Sequence, residues 1–302
     1  MPTFTQILCP VDFSDTSRHA LQLAVALAAW SKARLTLQYV YVPMFAPVPL
    51  LPVPDERVPA GELARVTDEV RRFGMAAGCA TDTVVVADIG YPSIEVLKRA
   101  SHDKADLIVM GTHGSSGFVH LVLGSVAEKV LRQAPCPVLT VPPGAPAASL
   151  LPFRHIVCAV DFSEWSMVAI ALAASLAQQG AGTMTAVHAI AWPWPEPPAP
   201  TLSDLPRAQA EALLEFRRYT SDRAASRLDD VVRETVASRC DVVPEVVHGT
   251  PWVELLRVAA ARQADLVVVG VHGRTRLDLA LFGSTANQIV RHATCPVLTV
   301  RR

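Results

Sequence analysis

Two segments of this 302-residue sequence combine residue types that could hold an anion. In the first, Gly111-Thr-His-Gly114 is followed by nine residues and then by Gly124-Ser125. In the second, Gly270-Val-His-Gly273 is followed by nine residues and then by Gly283-Ser284. Glycine lacks a side chain, so Gly111 and Gly114 let the backbone turn sharply and approach a ligand closely. A glycine-serine pair opening a helix presents unpaired N–H groups at the positive end of the helix dipole, which favours phosphate. The nine-residue excursion is long enough to wrap a ribose and return. Ser125 adds a hydroxyl, and Ser125-Val-Ala-Glu128 also matches a capping box. One such turn is usually only a turn. Its recurrence with the same spacing, each time behind an apolar stretch, carries the reading.

Other polar residues gather around these loops. Asp12 and Asp161 end an apolar run in each half and are either ligand-facing carboxylates or caps of the following helix. His113 and His272 lie between the paired glycines, where a histidine contacts phosphate or holds the loop by a hydrogen bond. No third group is placed by sequence to make either a general base. Ser14, Ser17, Ser163 and Ser166 read as helix caps and not as nucleophiles. Gly90-Tyr-Pro92 and Gly249-Thr-Pro251 read as turns from strand to helix, with proline at the helix start. The two glycine loops differ in charge: Gly111 to Ser125 holds no Lys or Arg, whereas the second holds Arg274 and Arg276, partly offset by Asp278. Charge-assisted contacts to phosphate are stronger than neutral ones, so the second loop is expected to bind a polyanion more tightly.

The elements that must position these residues occur twice. Ile7-Leu-Cys-Pro-Val-Asp-Phe-Ser14 recurs as Ile156-Val-Cys-Ala-Val-Asp-Phe-Ser163, and Cys136-Pro-Val-Leu-Thr-Val141 recurs unchanged as Cys295 to Val300. The offset between copies is 149 residues at the start and 159 from Gly90 and Gly249 onward, so the second copy carries ten extra residues. That insertion is expected near Trp192 to Pro206, a proline-rich loop matched by Pro43 to Pro59 in the first copy. The division reads as residues 1–142 and 153–302, with a linker at 143–152. Within the first copy, strands are expected at Ile7–Val11, Leu35–Val42, Thr83–Ala87, Leu107–Met110 and Val138–Val141. Helices are expected at Ser17–Ser31, Glu62–Met75, Ser93–Ser101 and Ser125–Gln133. Strands apolar on both faces and separated by helices imply an α/β fold with a parallel sheet covered on both sides. Ligands of such sheets sit beyond the C-terminal strand ends, where the strand order reverses.

Bulk composition agrees with a folded, water-facing chain. Hydrophobic residues make up 51% and charged residues 18%, which argues against disorder. A formal net charge of −1 argues against nucleic acid or an anionic membrane as a partner. No targeting segment is evident at the N-terminus, and the cytoplasm is the expected address. The six cysteines form no C-x-x-C pair, so a metal site is not expected and reduced, packed thiols are.

The chain resembles a tandem universal stress protein over nearly its whole length. Both loops fit the G-x2-G-x9-G-[S/T] pattern of the ATP-binding branch of that family, and LGSVAEKVLRQAPCPVLTV is also typical of it. The resemblance implies two doubly wound domains, each an open five-stranded parallel sheet of order 3-2-1-4-5, with ATP, with or without Mg²⁺, at the switch point. It places Asp12 and Asp161 at the adenosine end and the backbones of Val40 and Ala189 against adenine. Met110, Gly111, His113, Gly114, Gly124, Ser125 and Val126 complete the set it implies in the first domain. In the second these are Val269, Gly270, His272, Gly273, Arg274, Gly283, Ser284 and Thr285. Ser115 departs from the family, which often carries arginine there. The last strand of each copy pairs two domains in the family, which implies an internal pseudo-dimer; a homodimer and an unidentified protein partner are further expectations.

Three functions remain open at this level. The leading one is a regulatory ATP-binding protein of the stress response without efficient turnover, since neither a Walker lysine motif nor a kinase H-R-D loop is present. A slow Mg²⁺-dependent ATPase or autophosphorylating protein, using Ser115 or Ser125, is the second. An interaction module independent of nucleotide is the third.

Overall fold

The computed structural model describes residues 4–42, 61–112, 123–143, 145, 151–191, 206–236, 239–272 and 282–301. Strands and helices alternate throughout. The first half runs β1 (Gln6–Val11), α1 (Asp15–Ser31), β2 (Arg34–Tyr41), α2 (Glu62–Ala76), β3 (Val84–Ile89), α3 (Pro92–His102), β4 (Leu107–Gly111), α4 (Ser125–Gln133) and β5 (Val138–Val141). The second half repeats it as β6 (His155–Ala159), α5 (Glu164–Gly180), β7 (Thr183–Ile190), α6 (Arg207–Thr235), β8 (Asp241–His248), α7 (Pro251–Ala261), β9 (Leu266–Gly270), α8 (Ser284–His292) and β10 (Val297–Val300). The expected strands and helices of the first copy are all present, with ends shifted by a residue or two. The proline-rich stretches at Pro43–Pro59 and from Trp192 lie outside the described residues, apart from Pro206.

The ten-residue difference between copies is not a longer loop. Helix α6 has 29 residues where α2 has 15, so the extra length lies in the helix. Its first turns, Arg207 to Tyr219, are rich in Ala, Gln, Glu, Leu and Arg, which are good helix formers. Only Leu228 of α6 is buried, so the extension projects beyond the core.

All the strands join one sheet, in the order β3-β2-β1-β4-β5-β10-β9-β6-β7-β8. Within each half the strands are parallel and the order is 3-2-1-4-5. The halves meet at β5 and β10, which pair antiparallel with Leu139 opposite Leu298. The Thr140 hydroxyl donates to Val297 O at 3.2 Å, and the Thr299 hydroxyl donates to Val138 O at 3.0 Å. What would have been two edge strands is thereby covered.

Period-two alternation sends successive strand residues to opposite faces. Ile7 and Cys9 pack under α1 and α2, while Leu8 points to the layer of α3 and α4. Each layer is continuous across both halves: Leu139, Leu298, Ile156 and Ile170 share one core with Leu21 and Leu27. Among the described residues, no helix is long and apolar enough to cross a membrane. All six cysteines are free, and burial pushes the Cys136 thiol up to about 12 and those of Cys9 and Cys158 higher still. They pack as small apolar groups.

A shared core predicts shared stability. Leu298→Ala is expected to cost about 2–5 kcal/mol and to lower the guanidinium midpoint in a single transition. Hydrogen exchange should then accelerate in α1 as well as α5. An effect confined to the second half would contradict a common core.

Candidate functional site

Each half has a crevice at the C-terminal ends of its strands, at the point where the strand order reverses. In the first half the wall is built by Asp12 after β1, Gln38 and Val40 of β2, Met110 to Thr112 at the end of β4, Pro92 and Val96 of α3, and Gly124 to Ala127 opening α4. The second crevice brings together Asp161, His188, Ala189, Val269, Gly270, His272 and the start of α8, Gly283 to Asn287. The sequence-level candidates Asp12, Val40, Met110, Gly111, Gly124, Ser125 and Val126 therefore converge, as do Asp161, Ala189, Val269, Gly270, His272, Gly283, Ser284 and Thr285. His113, Gly114, Ser115, Gly273, Arg274, Arg276 and Asp278 lie outside the described residues. The cavity volumes are ≈ 340 Å³ and ≈ 810 Å³. Smaller side chains line the second: Ala159, Ala189 and Ala191 stand where the first has Pro10, Val40 and Val42.

The turn after β1 is held by its own side chains. Asp12 Oδ1 accepts from the Ser14 N–H at 3.1 Å and from its hydroxyl at 2.6 Å. Ser14 Oγ in turn accepts from Ser17 N–H at 3.1 Å, and so is the N-cap of α1. The second copy repeats this with Asp161, Ser163 and Ser166, at 3.0, 2.6 and 3.2 Å. The aspartates are thus not caps; they brace the serines that are. Between them Phe13 and Phe162 take left-handed φ of 65°, a conformation that costs an ordinary residue energy. Ring packing holds both: Phe13 lies 4.8 Å from Tyr39 and 5.4 Å from Phe73, and Phe162 lies 4.4 Å from His188 with Arg227 over it at 4.2 Å.

The glycine loops use their glycines differently from the expectation. Gly111 is not in a left-handed turn; it ends β4, and a Cβ there would lie 2.8 Å from Thr16 Cγ2. Gly270 is equally close to Trp165, at 3.0 Å. Both are small so that the start of the neighbouring helix can approach. The expected sharp turns belong to Gly90 and Gly249, at φ of 147° and 136°, each followed by a proline opening a helix.

The N-cap of α4 is Gly124, not Ser125, so the capping box does not form. Glu128 pairs instead with Arg132 at 2.6 Å, one turn along the helix. The Gly124 N–H is also spent: it donates to Thr112 O at 2.9 Å and closes the neck of the loop. Gly283 does the same to Val271 O at 2.9 Å. Neither α4 nor α8 has a side-chain cap. Ser125, Val126 and Ala127, and Ser284, Thr285 and Ala286, form the first turns of these helices on the crevice walls, where helix N–H groups have no partner within the helix. His272 packs edge-on against Trp165, with ring centroids 5.2 Å apart, and lines the second cavity. Among the described residues, no three metal-ligating side chains cluster.

One feature of the first crevice escapes a reading of motifs. Gln38 is fully buried in β2, and its Nε2 donates to Asp88 Oδ2 at 2.7 Å and to Glu95 O at 3.2 Å. Arg99 Nη2 reaches Asp88 Oδ1 at 2.8 Å from the other side. At the equivalent positions the second half has Val187, Val247 and Val258, all buried. A glutamine inside an otherwise apolar strand was the available signal, and aligning the two copies brings it out.

A sequence model of the universal stress protein family matches residues 3–142 and again residues 152–301. A universal stress protein of Mycolicibacterium smegmatis is 28% identical over 98% of this chain and 96% of its own. One of Thermus aquaticus is 37% identical over 46% of this chain and 98% of its own. The crystal structure of a universal stress protein from Archaeoglobus fulgidus superposes with a TM-score of 0.68 at 21% identity, covering 98% of this chain and 96% of that one. At that identity the likeness speaks for the fold.

The packing role of Gly111 has a direct test. Gly111→Ala is expected to destabilise by roughly 1–3 kcal/mol through overpacking. Thr16→Ser removes the clashing methyl and should recover much of the loss in a double-mutant cycle by chemical denaturation. Additive losses would refute the contact.

Proposed function

Because the chain belongs to the universal stress protein family, we propose that it binds one ATP in each crevice and works through nucleotide-dependent contacts in the stress response, not through turnover. The observation that carries this is the contrast between helix starts. Of the helices that begin at the crevices, α1 and α5 have serine caps and α3 and α7 start on proline, which has no N–H, whereas α4 and α8 start on glycine with no side-chain cap. Uncapped N–H groups at the positive end of a helix suit a phosphate chain. The hydroxyls of Ser125 and Ser284 stand at the same place. Each crevice also has an apolar end suited to a base, formed in the first by Val40, Pro92 and Val96 and in the second by Ala189, Pro251 and Leu255. Asp12 and Asp161 lie on the crevice walls as acceptors for ribose hydroxyls. Mg²⁺, where present, would be carried by the phosphates.

The residues offered support a reading without efficient turnover. The buried thiols are held protonated by desolvation. Ser14 and Ser163 are committed to capping. Backbone donors at a helix start bind phosphate in the ground state without supplying a base. The second site is the tighter one in this reading, since it is followed in sequence by Arg274 and Arg276, which can make charge-assisted contacts to phosphate.

Calorimetric titration of the whole chain should find two ATP sites. Ser125→Asp and Ser284→Asp should each remove one, with a loss of affinity of at least about tenfold from a carboxylate facing phosphate. Aspartate in the first turn of a helix favours the helix, so loss of binding would not report unfolding. The site lost in Ser284→Asp should be the tighter of the two. Binding that survives both substitutions together, or ADP release from Mg-ATP at about 1–100 s⁻¹, would overturn the proposal.

A further inference from the structure

The buried amide of Gln38 has a fixed orientation. Its Nε2 faces two groups that only accept, Asp88 Oδ2 at 2.7 Å and Glu95 O at 3.2 Å. Nitrogen must therefore occupy that side and oxygen the other. Asp88 cannot swing away, because Arg99 holds it at 2.8 Å and also pairs with Asp103 at 3.5 Å. The outcome is a clamped carboxamide whose Oε1 is buried and has no hydrogen-bond donor. Gln38 also lines the first cavity, beside Val40, Pro92 and Val96 at its apolar end. An acceptor shut off from water and left unpaired is a standing cost, which a donor on a ligand would remove. Reaching it takes a side-chain adjustment of the kind that binding commonly brings.

The second crevice has no such device. Strand register makes the comparison secure: Gln38 pairs with Val86 and Val40 with Asp88, while Val187 pairs with Glu245 and Ala189 with Val247. Valines 187, 247 and 258 thus replace glutamine, aspartate and arginine as a set. Their burial leaves an apolar floor with no side-chain acceptor for a base.

We propose that Gln38 selects the base in the first crevice. Its Oε1 accepts a hydrogen bond from an exocyclic amino group, so this site takes an aminopurine nucleotide and discriminates against the 6-oxo analogue. With the 6-oxo base, a carbonyl oxygen would confront the amide oxygen. The second site, floored by valine, lacks that side-chain contact and separates the two bases less. The assignment rests on the nucleotide reading above. Asp88 and Arg99 act as positioning residues, since they hold the amide and do not face the base.

The test compares ATP with ITP on the full chain by calorimetry. Ser284→Asp leaves the first site to be read alone, and Ser125→Asp the second. ATP is expected to bind the first site at least about tenfold tighter than ITP, because an analogue lacking the matched donor leaves the buried acceptor unpaired. At the second site the two nucleotides should agree within about threefold. The triple variant Gln38→Val, Asp88→Val, Arg99→Val should bring the first-site ratio close to that of the second. The second half shows that three valines are compatible with this fold, and Gln38→Leu gives the same readout with one change. A first-site ratio near one in the parent, or a ratio unmoved by both variants, overturns the selection. Failure of ATP to bind at either site of the parent chain overturns the nucleotide reading itself, which is a different result.

Discussion

The antiparallel pairing of β5 with β10 is the constraint on which the rest of the molecule depends. Each half is an open parallel sheet, and an open sheet ends in strands with unpaired N–H and C=O groups. Here the last strand of each half saturates the other, with Thr140 and Thr299 adding hydroxyl bonds across the seam. The pairing also aligns the helical layers, so that each face has one core running through both halves. Because the join is antiparallel, strands of the two halves point in opposite directions. The crevices therefore open at opposite edges of the sheet, and no single ligand can bridge them.

Three helices begin at each crevice, and the starts of two of them, the one after β1 or β6 and the one after β4 or β9, are treated in opposite ways. The chain leaving β1 turns through a left-handed phenylalanine, a strained residue that ring packing must hold. Asp12 or Asp161 braces a serine, the serine caps the helix, and this side of the crevice is satisfied before a ligand arrives. The chain leaving β4 or β9 returns through a neck closed by one backbone bond, Gly124 to Thr112 or Gly283 to Val271. Its helix starts on glycine with no capping side chain. One rigid, self-satisfied wall thus faces one with donors to spare. That division suits a site that fixes the sugar on one side and receives charge on the other.

Much of this is legible in the sequence, for reasons that differ from element to element. Strands buried on both faces leave short apolar runs, and the helices between them leave amphipathic ones, so the alternation is plain before any coordinates. Repetition supplies the domain pairing, and the glycine spacing supplies the site. Three readings fail where local pattern and tertiary context disagree. Ser125-Val-Ala-Glu128 has the letters of a capping box, yet the helix begins one residue earlier, at Gly124, and Glu128 turns to Arg132. Gly111 looks like a turn residue but is small because Thr16 presses on it. The ten-residue insertion looks like a proline-rich loop, but Arg207 to Tyr219 has the propensity to extend α6.

The Gln38 network escapes detection for a different reason: its meaning lies in a comparison between positions far apart in the chain. Gln38, Asp88 and Arg99 come from β2, β3 and α3, and each alone reads as an incidental polar residue. Physically they can change only together. Glutamine without Asp88 would lose the partner that orients it, and Arg99 without Asp88 would be a partly buried cation with weaker compensation. The second half shows the other self-consistent solution, Val187 and Val247 of the sheet in one apolar cluster with Val258 of α7. Combinations that keep Gln38 or Arg99 but lack Asp88 leave a polar group without its partner. Two copies that diverged between such alternatives have exchanged one complete floor for another, while the turn, the cap and the uncapped helix stayed alike. On the proposed reading, the parts kept alike are those that would hold ribose and phosphate, and the replaced part is the one that would face the base. A duplicated domain that keeps its holder and changes its floor would, on that reading, have diverged in which base it accepts, with its way of gripping the phosphates left in place.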